Sequence, residues 1–197
     1  MDINLQLSLD PSLLFAHKTE TGYSWTLVSR LGFMLRTAEE MYGPRDKEYT
    51  ILGVEFVGDN ARLWYPGNCK NIAIQLGQTA MNDLDQACYQ LAHECVHLLC
   101  PTGSAEANYL EEGLATYNSA FYMATEMGKT NWRATLPSYA RAEALVRKIM
   151  EADSNSIKRM RQTEFNISAI SEDLLLSETS AITDEEAKFL VSTFVRQ

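Results

Sequence analysis

The 197 residues carry 46% hydrophobic and 22% charged side chains, enough apolar material to bury one core and not the composition of a disordered chain. The formal net charge of −9, with no basic cluster, argues against nucleic acid and anionic membrane as partners. No apolar run approaches the roughly 20 residues of a membrane span, and the start, broken by Asp2, Asp10 and Pro11 with no basic segment before it, does not read as a secretory signal.

Residues 1–22 have no strong period and read as a strand or an irregular arm. From about Ser24 to Tyr42 the residues Trp25, Val28, Leu31, Leu35 and Ala38 recur at helical spacing, with Ser24 as a cap and Gly43-Pro44 as the stop. Three β-rich runs follow: Tyr49–Val57, Ala61–Tyr65 and Lys70–Leu76. They are divided by the turn signals Gly58-Asp59-Asn60 and Pro66-Gly67-Asn68, which predicts an antiparallel meander with Lys70–Leu76 at one edge.

A helix is predicted to begin near Asn82 and to end at Pro101-Thr102-Gly103. Leu84, Cys88, Leu91, Cys95 and Leu98 form its core stripe. A second helix is predicted from Tyr109 to Met127, with Asn108 and Glu111 as a capping box and Gly128 at its end. The remainder reads as helices over Ser138–Ala152, Ser156–Gln162, Ile170–Leu176 and Asp184–Val195, the last opened by a Thr183/Glu186 capping box. The expected organisation is a single α+β domain over 1–197: a helix and β meander (1–81), two site helices (82–128) and a helical C-terminal part (129–197).

The chemistry concentrates in Leu91–Leu99, which contains His-Glu-x-x-His and two of the three histidines in the chain. On a helix, His93 and His97 lie about 40° apart around the axis, so both imidazoles can face one Zn²⁺ while Glu94 stands beside it to work on a metal-bound water. A catalytic zinc takes three protein ligands. The other histidine, His17, falls in unpatterned sequence, so a carboxylate on the following helix is the better third ligand, and that helix supplies two, Glu111 and Glu112, with Glu106 a poorer choice near its end. Cys69, Cys88, Cys95 and Cys100 form no Cys-x-x-Cys pair. They read as reduced thiols, which makes the cytoplasm the default location.

His-Glu-x-x-His followed by a Glu112-Gly-Leu-Ala-Thr-Tyr117 helix resembles the gluzincin zinc metallopeptidases, and within them the aminopeptidase-like group. The likeness runs from about Lys70 to Ile149. It implies a zincin-like fold with a small antiparallel sheet over the motif helix and a mainly helical C-terminal part. It also implies His93, His97 and Glu112 as ligands of Zn²⁺, Glu94 as general base, and Tyr139 in the place of a tyrosine presented to the transition state. Ala142 or Glu143 stands where the family's tyrosine helix carries glycine. Glu112 follows His97 by 15 positions, a shorter connection than the family's usual H-E-x-x-H-x18-E, and the stretch that holds a free amino group is absent. Aminopeptidase specificity is therefore not carried over.

The implied function is hydrolysis of peptide bonds in a peptide or protein substrate through a zinc-bound water, with Glu94 as base, Tyr139 toward the oxyanion and Lys70–Leu76 pairing with an extended substrate. The alternatives are a non-catalytic zincin-like module that binds a peptide in the same cleft, and a helical interaction protein in which the motif is coincidental. Thr116 and Ser119 are candidates to support the ligands, and Tyr117 and Tyr122 are weaker oxyanion candidates. The sequence leaves the oligomeric state open.

Overall fold

A computed structural model describes residues 26–67, 70–103 and 107–197, and the main chain of an antiparallel two-stranded ribbon, β1 (Lys18–Thr19) and β2 (Gly22–Tyr23). His17, Ser24, Trp25, Asn68, Cys69 and Glu106 lie outside the described residues, as does the rest of the N-terminal arm. The architecture is mixed α+β: among the described residues, seven α-helices and a three-stranded sheet share one apolar core. No helix among the described residues is long and apolar enough to cross a membrane.

Helix α1 (Leu27–Tyr42) starts at Thr26, whose hydroxyl accepts from the Ser29 amide at 3.2 Å while the Ser29 hydroxyl accepts from the Thr26 amide at 3.3 Å. It stops at Gly43, whose φ of +99° favours glycine, just before Pro44.

The three runs form strands β3 (Thr50–Phe56), β4 (Arg62–Trp64) and β5 (Asn71–Leu76), but not a meander. The order is β3-β5-β4, with β3 parallel to β5 and β4 antiparallel to it, so the sheet is mixed. The chain leaves β3 through Gly58 (φ +68°), skips one strand position, and returns down the far side before β5 fills the gap. Burial explains the order. Ile72, Ala73, Ile74, Gln75 and Leu76 are all buried, which suits a strand covered on both faces and paired on both sides. Arg62 and Trp64 are exposed, so the short β4 takes the edge that Lys70–Leu76 was expected to hold. Arg62 Nε donates to Gln75 Oε1 and Gln75 Nε2 to Glu55 Oε1, each at 2.7 Å, lacing the outer face across all three strands.

Helix α2 (Leu84–His97) is capped by Asp83 rather than Asn82: Asp83 accepts from the Gln86 amide at 3.0 Å, and Asn82 closes a preceding 3₁₀ turn. Cys88, Leu91, Cys95 and Leu98 are buried as the stripe predicts. Helix α3 (Tyr109–Thr125) lies against it, and Gly128 (φ +66°) lets the Lys129 amide reach back to the Met123 carbonyl at 2.7 Å. Asn118 joins three helices: it accepts from the Tyr42 hydroxyl at 3.2 Å and donates to the Ala92 carbonyl at 2.7 Å.

Helices α4 (Pro137–Ala152), α5 (Ser156–Thr163), α6 (Glu172–Glu178) and α7 (Asp184–Leu190) follow. Arg161 on α5 is buried and donates to the carbonyls of Tyr42, Gly43, Pro44, Leu99 and Phe165, fastening the ends of α1 and α2 together. The expected helix to Val195 ends at Leu190 instead. Residues 191–197 turn back as an extended segment because α3 offers them partners: Tyr109 N donates to Ser192 O at 3.1 Å and Phe194 N to Ala107 O at 3.0 Å.

Candidate metal centre

The site lies where the last turn of α2 meets the first turn of α3. Four residues apart on α2, His93 and His97 bring their Nε2 atoms to 3.2 Å. Glu112, in the first turn of α3, adds its carboxylate: Oε2 is 3.2 Å from His93 Nε2 and Oε1 is 3.7 Å from His97 Nε2. Glu112 Oε2 is buried and, despite that proximity, has no aligned hydrogen-bond partner among the described residues.

This donor set fits a zinc ion. Bonds of about 2.0–2.1 Å at tetrahedral angles put neighbouring ligand atoms about 3.3 Å apart, close to the observed 3.2 and 3.7 Å. Two imidazole nitrogens facing each other across such a gap can share only one proton, and a buried carboxylate oxygen without a hydrogen bond is costly. A cation between the three groups would satisfy all of them. They are the group among the described residues whose donor atoms suit a metal, all lying within 4.8 Å of one another.

Glu111 does not join that trio, and it is not the returning half of a capping box. Its amide donates to Asn108 Oδ1 at 2.9 Å, but the Asn108 amide goes to Ser168 Oγ at 3.0 Å. That frees the Glu111 carboxylate: Oε1 meets His97 Nδ1 at 2.8 Å and Oε2 accepts from the Ser168 hydroxyl. Holding a proton at Nδ1 turns the lone pair of Nε2 toward the site. Adjacent helical residues point about 100° apart, so of the pair Glu111-Glu112 one faces the two Nε2 atoms and the other the back of the His97 ring. That signal was present in the sequence. Ser168, 57 residues further on, had none.

The electrostatics follow from burial and crowding. For His97, burial works downward, but the charge of Glu112 and the hydrogen bond to Glu111 raise its pKa to about 10. Burial would raise Glu112, yet the charge of His97 and the contact with His93 hold it down at about 2. Glu94 is 3% exposed, and burial raises its pKa against the opposing pull of both histidines.

Tyr139, at the start of α4, reaches the site: its ring centroid is 6.0 Å from that of His93. Burial, then the charge of Glu112, pushes its hydroxyl up to about 12. Phe194 packs against it from behind at 4.6 Å. Thr116 and Ser119 turn their hydroxyls to their own helix rather than to the trio, donating to Glu112 O at 2.8 Å and Ala115 O at 3.0 Å. Tyr122 is turned away to Arg30, and Tyr117 lies beneath Arg147 and stacks on Phe121.

A cleft runs across the centre in two halves. The smaller, about 250 Å³, lies toward Leu63, Tyr65, His97 and Cys100. The larger, about 420 Å³, lies toward Asn60, Tyr89, Gln90 and Trp132, and both halves share His93, Glu94 and Tyr139. Tyr65, which follows the edge strand, was not singled out from sequence. Burial raises its pKa to about 12 against a main-chain hydrogen bond from Gly103. Comparison of the chain with protein-family models, with curated proteins and with solved structures finds no match in any of the three.

Proposed function

We propose that this chain is a zinc-dependent peptidase of gluzincin type built on a zincin-like core. The observation that carries the reading is the trio His93 Nε2, His97 Nε2 and Glu112, spaced as zinc ligands are, with a buried carboxylate oxygen that touches His93 at 3.2 Å but has no aligned hydrogen-bond partner among the described residues. His93, His97 and Glu112 would hold the ion, and Glu111 would fix the His97 ring. When bound, zinc supplies Lewis acidity, making a water nucleophilic near neutral pH and polarising the scissile carbonyl.

The chain's own groups do the rest. Glu94 sits next to the centre with a raised pKa, which suits a carboxylate that takes a proton from the attacking water and passes it to the leaving amine. Tyr139 stays protonated at neutral pH and can donate to the oxyanion as it forms. The edge strand that would pair with an extended substrate is β4, whose outer side is unpaired in the sheet; Lys70–Leu76 is enclosed between two strands and cannot serve. Cys88, Cys95 and Cys100 are free thiols, in keeping with a cytoplasmic setting.

The test compares zinc-loaded wild type with Glu94→Gln on a broad peptide library. Cleavage is expected in the wild type and about 10²–10⁴-fold slower in the variant, with zinc content equal in both. If zinc binds to both and neither cleaves any peptide, the chain is a binding module that uses the same cleft.

A further inference from the structure

The two halves of the cleft differ in what their charged groups are doing. In the smaller half, Glu111 and Glu112 are engaged at the centre and Arg62 is bonded to Gln75. In the larger half, two arginines line the wall with no carboxylate at ion-pair distance among the described residues, although the charge of Arg196 acts on Glu112. Arg133 donates only to the neighbouring Trp132 carbonyl, at 2.7 Å, and Trp132 packs on Tyr89 at 5.4 Å. The guanidinium carbon of Arg196 stands 5.8 Å from the centre of the Tyr139 ring.

Arg196 is exposed, yet the backbone on either side of it is pinned. The Tyr109 hydroxyl donates to Val195 O at 3.3 Å, and the Gln197 amide donates to Ser138 Oγ at 3.1 Å. Phe194, two residues earlier, is packed between Tyr109 at 4.9 Å and Tyr139 at 4.6 Å. A long cationic side chain on a fixed backbone, laid over the ring of the candidate oxyanion residue, is placed to meet a negative group close to the scissile bond. In a chain of net charge −9, two arginines facing one cleft without an ion pair stand out from their surroundings. The opposing charge on the far lip is Asp59, exposed on the turn before β4; Glu143, near Tyr89, is committed to Arg147.

Direction follows from the edge strand. β4 runs from Arg62 to Trp64; Asp59 and Asn60 before it border the larger half, Ala61 borders both, and Leu63 and Tyr65 border the smaller. A peptide added antiparallel, the more stable pairing, would run from the Tyr65 end toward the Asn60 end. Its residues after the scissile bond then lie over the larger half.

Resting on the peptidase reading, we infer that the larger half of the cleft selects a carboxylate on the C-terminal side of the scissile bond, held by Arg196 with Arg133. That carboxylate is either an acidic side chain or the substrate's own terminal group. A fork of two N–H donors matches a carboxylate in charge and in shape.

The experiment is a digest of a peptide library by zinc-loaded wild type, Arg196→Ala and Arg196→Glu, each peptide present both as free acid and as C-terminal amide, with cleavage sites read by mass spectrometry. Thermal melts establish that the variants are folded. In the wild type, peptides with Asp, Glu or a free terminus within two residues after the cleaved bond are expected to be cut about tenfold faster than neutral ones, the scale of one charge-assisted contact. Arg196→Ala should level that ratio and Arg196→Glu should favour Lys and Arg instead. A preference that vanishes in the amides assigns the terminal carboxylate; one that survives assigns the side chain. Cleavage without an acidic preference, a preference on the other side of the bond, or an unchanged preference in Arg196→Glu would overturn this inference and leave the peptidase reading intact. No cleavage by any zinc-loaded protein would overturn both.

Discussion

Gly113→Ala tests how the site is held together. Gly113 follows Glu112 where α3 closely approaches α4. A methyl group there would lie 2.8 Å from the Ala142 carbonyl carbon and oxygen and 3.0 Å from its Cβ. These are mostly main-chain atoms of a helix, so no side chain can swing aside, and the helices must part by about 0.5 Å or more to restore ordinary contact. Overpacking of this kind costs about 1–3 kcal/mol, and rigid neighbours place it near the upper figure. Replacing a mid-helix glycine by alanine returns about 1 kcal/mol. The net is about 2 kcal/mol of destabilisation, which lowers the melting temperature of a chain this size by about 4–8 °C. Tyr139 lies one turn before Ala142 on α4, so parting the helices also draws its ring away from that of His93. The assay is a thermal melt by circular dichroism, with peptide cleavage measured alongside. An unchanged or higher melting temperature would refute the packing argument.

Three further outcomes follow from the same geometry. Glu111→Gln keeps an acceptor for His97 Nδ1 but loses its charge, so zinc affinity should fall about 10–100-fold in a competition titration, and an unchanged affinity would remove Glu111 from the site. In the metal-free protein His97 holds its proton up to about pH 10, and zinc must displace it. Zinc binding at pH 7 should therefore release about one proton, seen by calorimetry in buffers of different ionisation enthalpy, and apparent affinity should rise about tenfold per pH unit toward pH 9; a flat profile would contradict this. Arg161→Ala strips a donor from five main-chain carbonyls and should cost more than about 3 kcal/mol in a denaturant melt; a loss under about 1 kcal/mol would mean that water replaces the guanidinium.

The site was more legible than the sheet. His93, Glu94 and His97 are fixed relative to each other by helical geometry, so local periodicity was enough to group them, whereas the choice of Glu112 over its neighbour Glu111 came from the resemblance. Tyr139 needed the resemblance, because nothing local ties α4 to α2. The sheet order depended on which strand wins the centre, a competition settled by the burial of Ile72, Ala73, Ile74 and Gln75, and turn residues alone could not express it. The same limit applies at the ends of elements. Residues 191–195 have helical composition, yet the open amide and carbonyl groups near Ala107 and Tyr109 hold them extended. Glu111 satisfied the capping pattern while its carboxylate was needed by His97, so a correct local signal concealed a longer-range use.

The central claim is that His93, His97 and Glu112 make one zinc site, and metal content tests it most directly. Purified wild type and Glu112→Ala, prepared identically and reconstituted with zinc, are compared by elemental mass spectrometry. The account predicts about one zinc per wild-type chain and little in the variant. Equal zinc in both proteins, or none in the wild type, would contradict it.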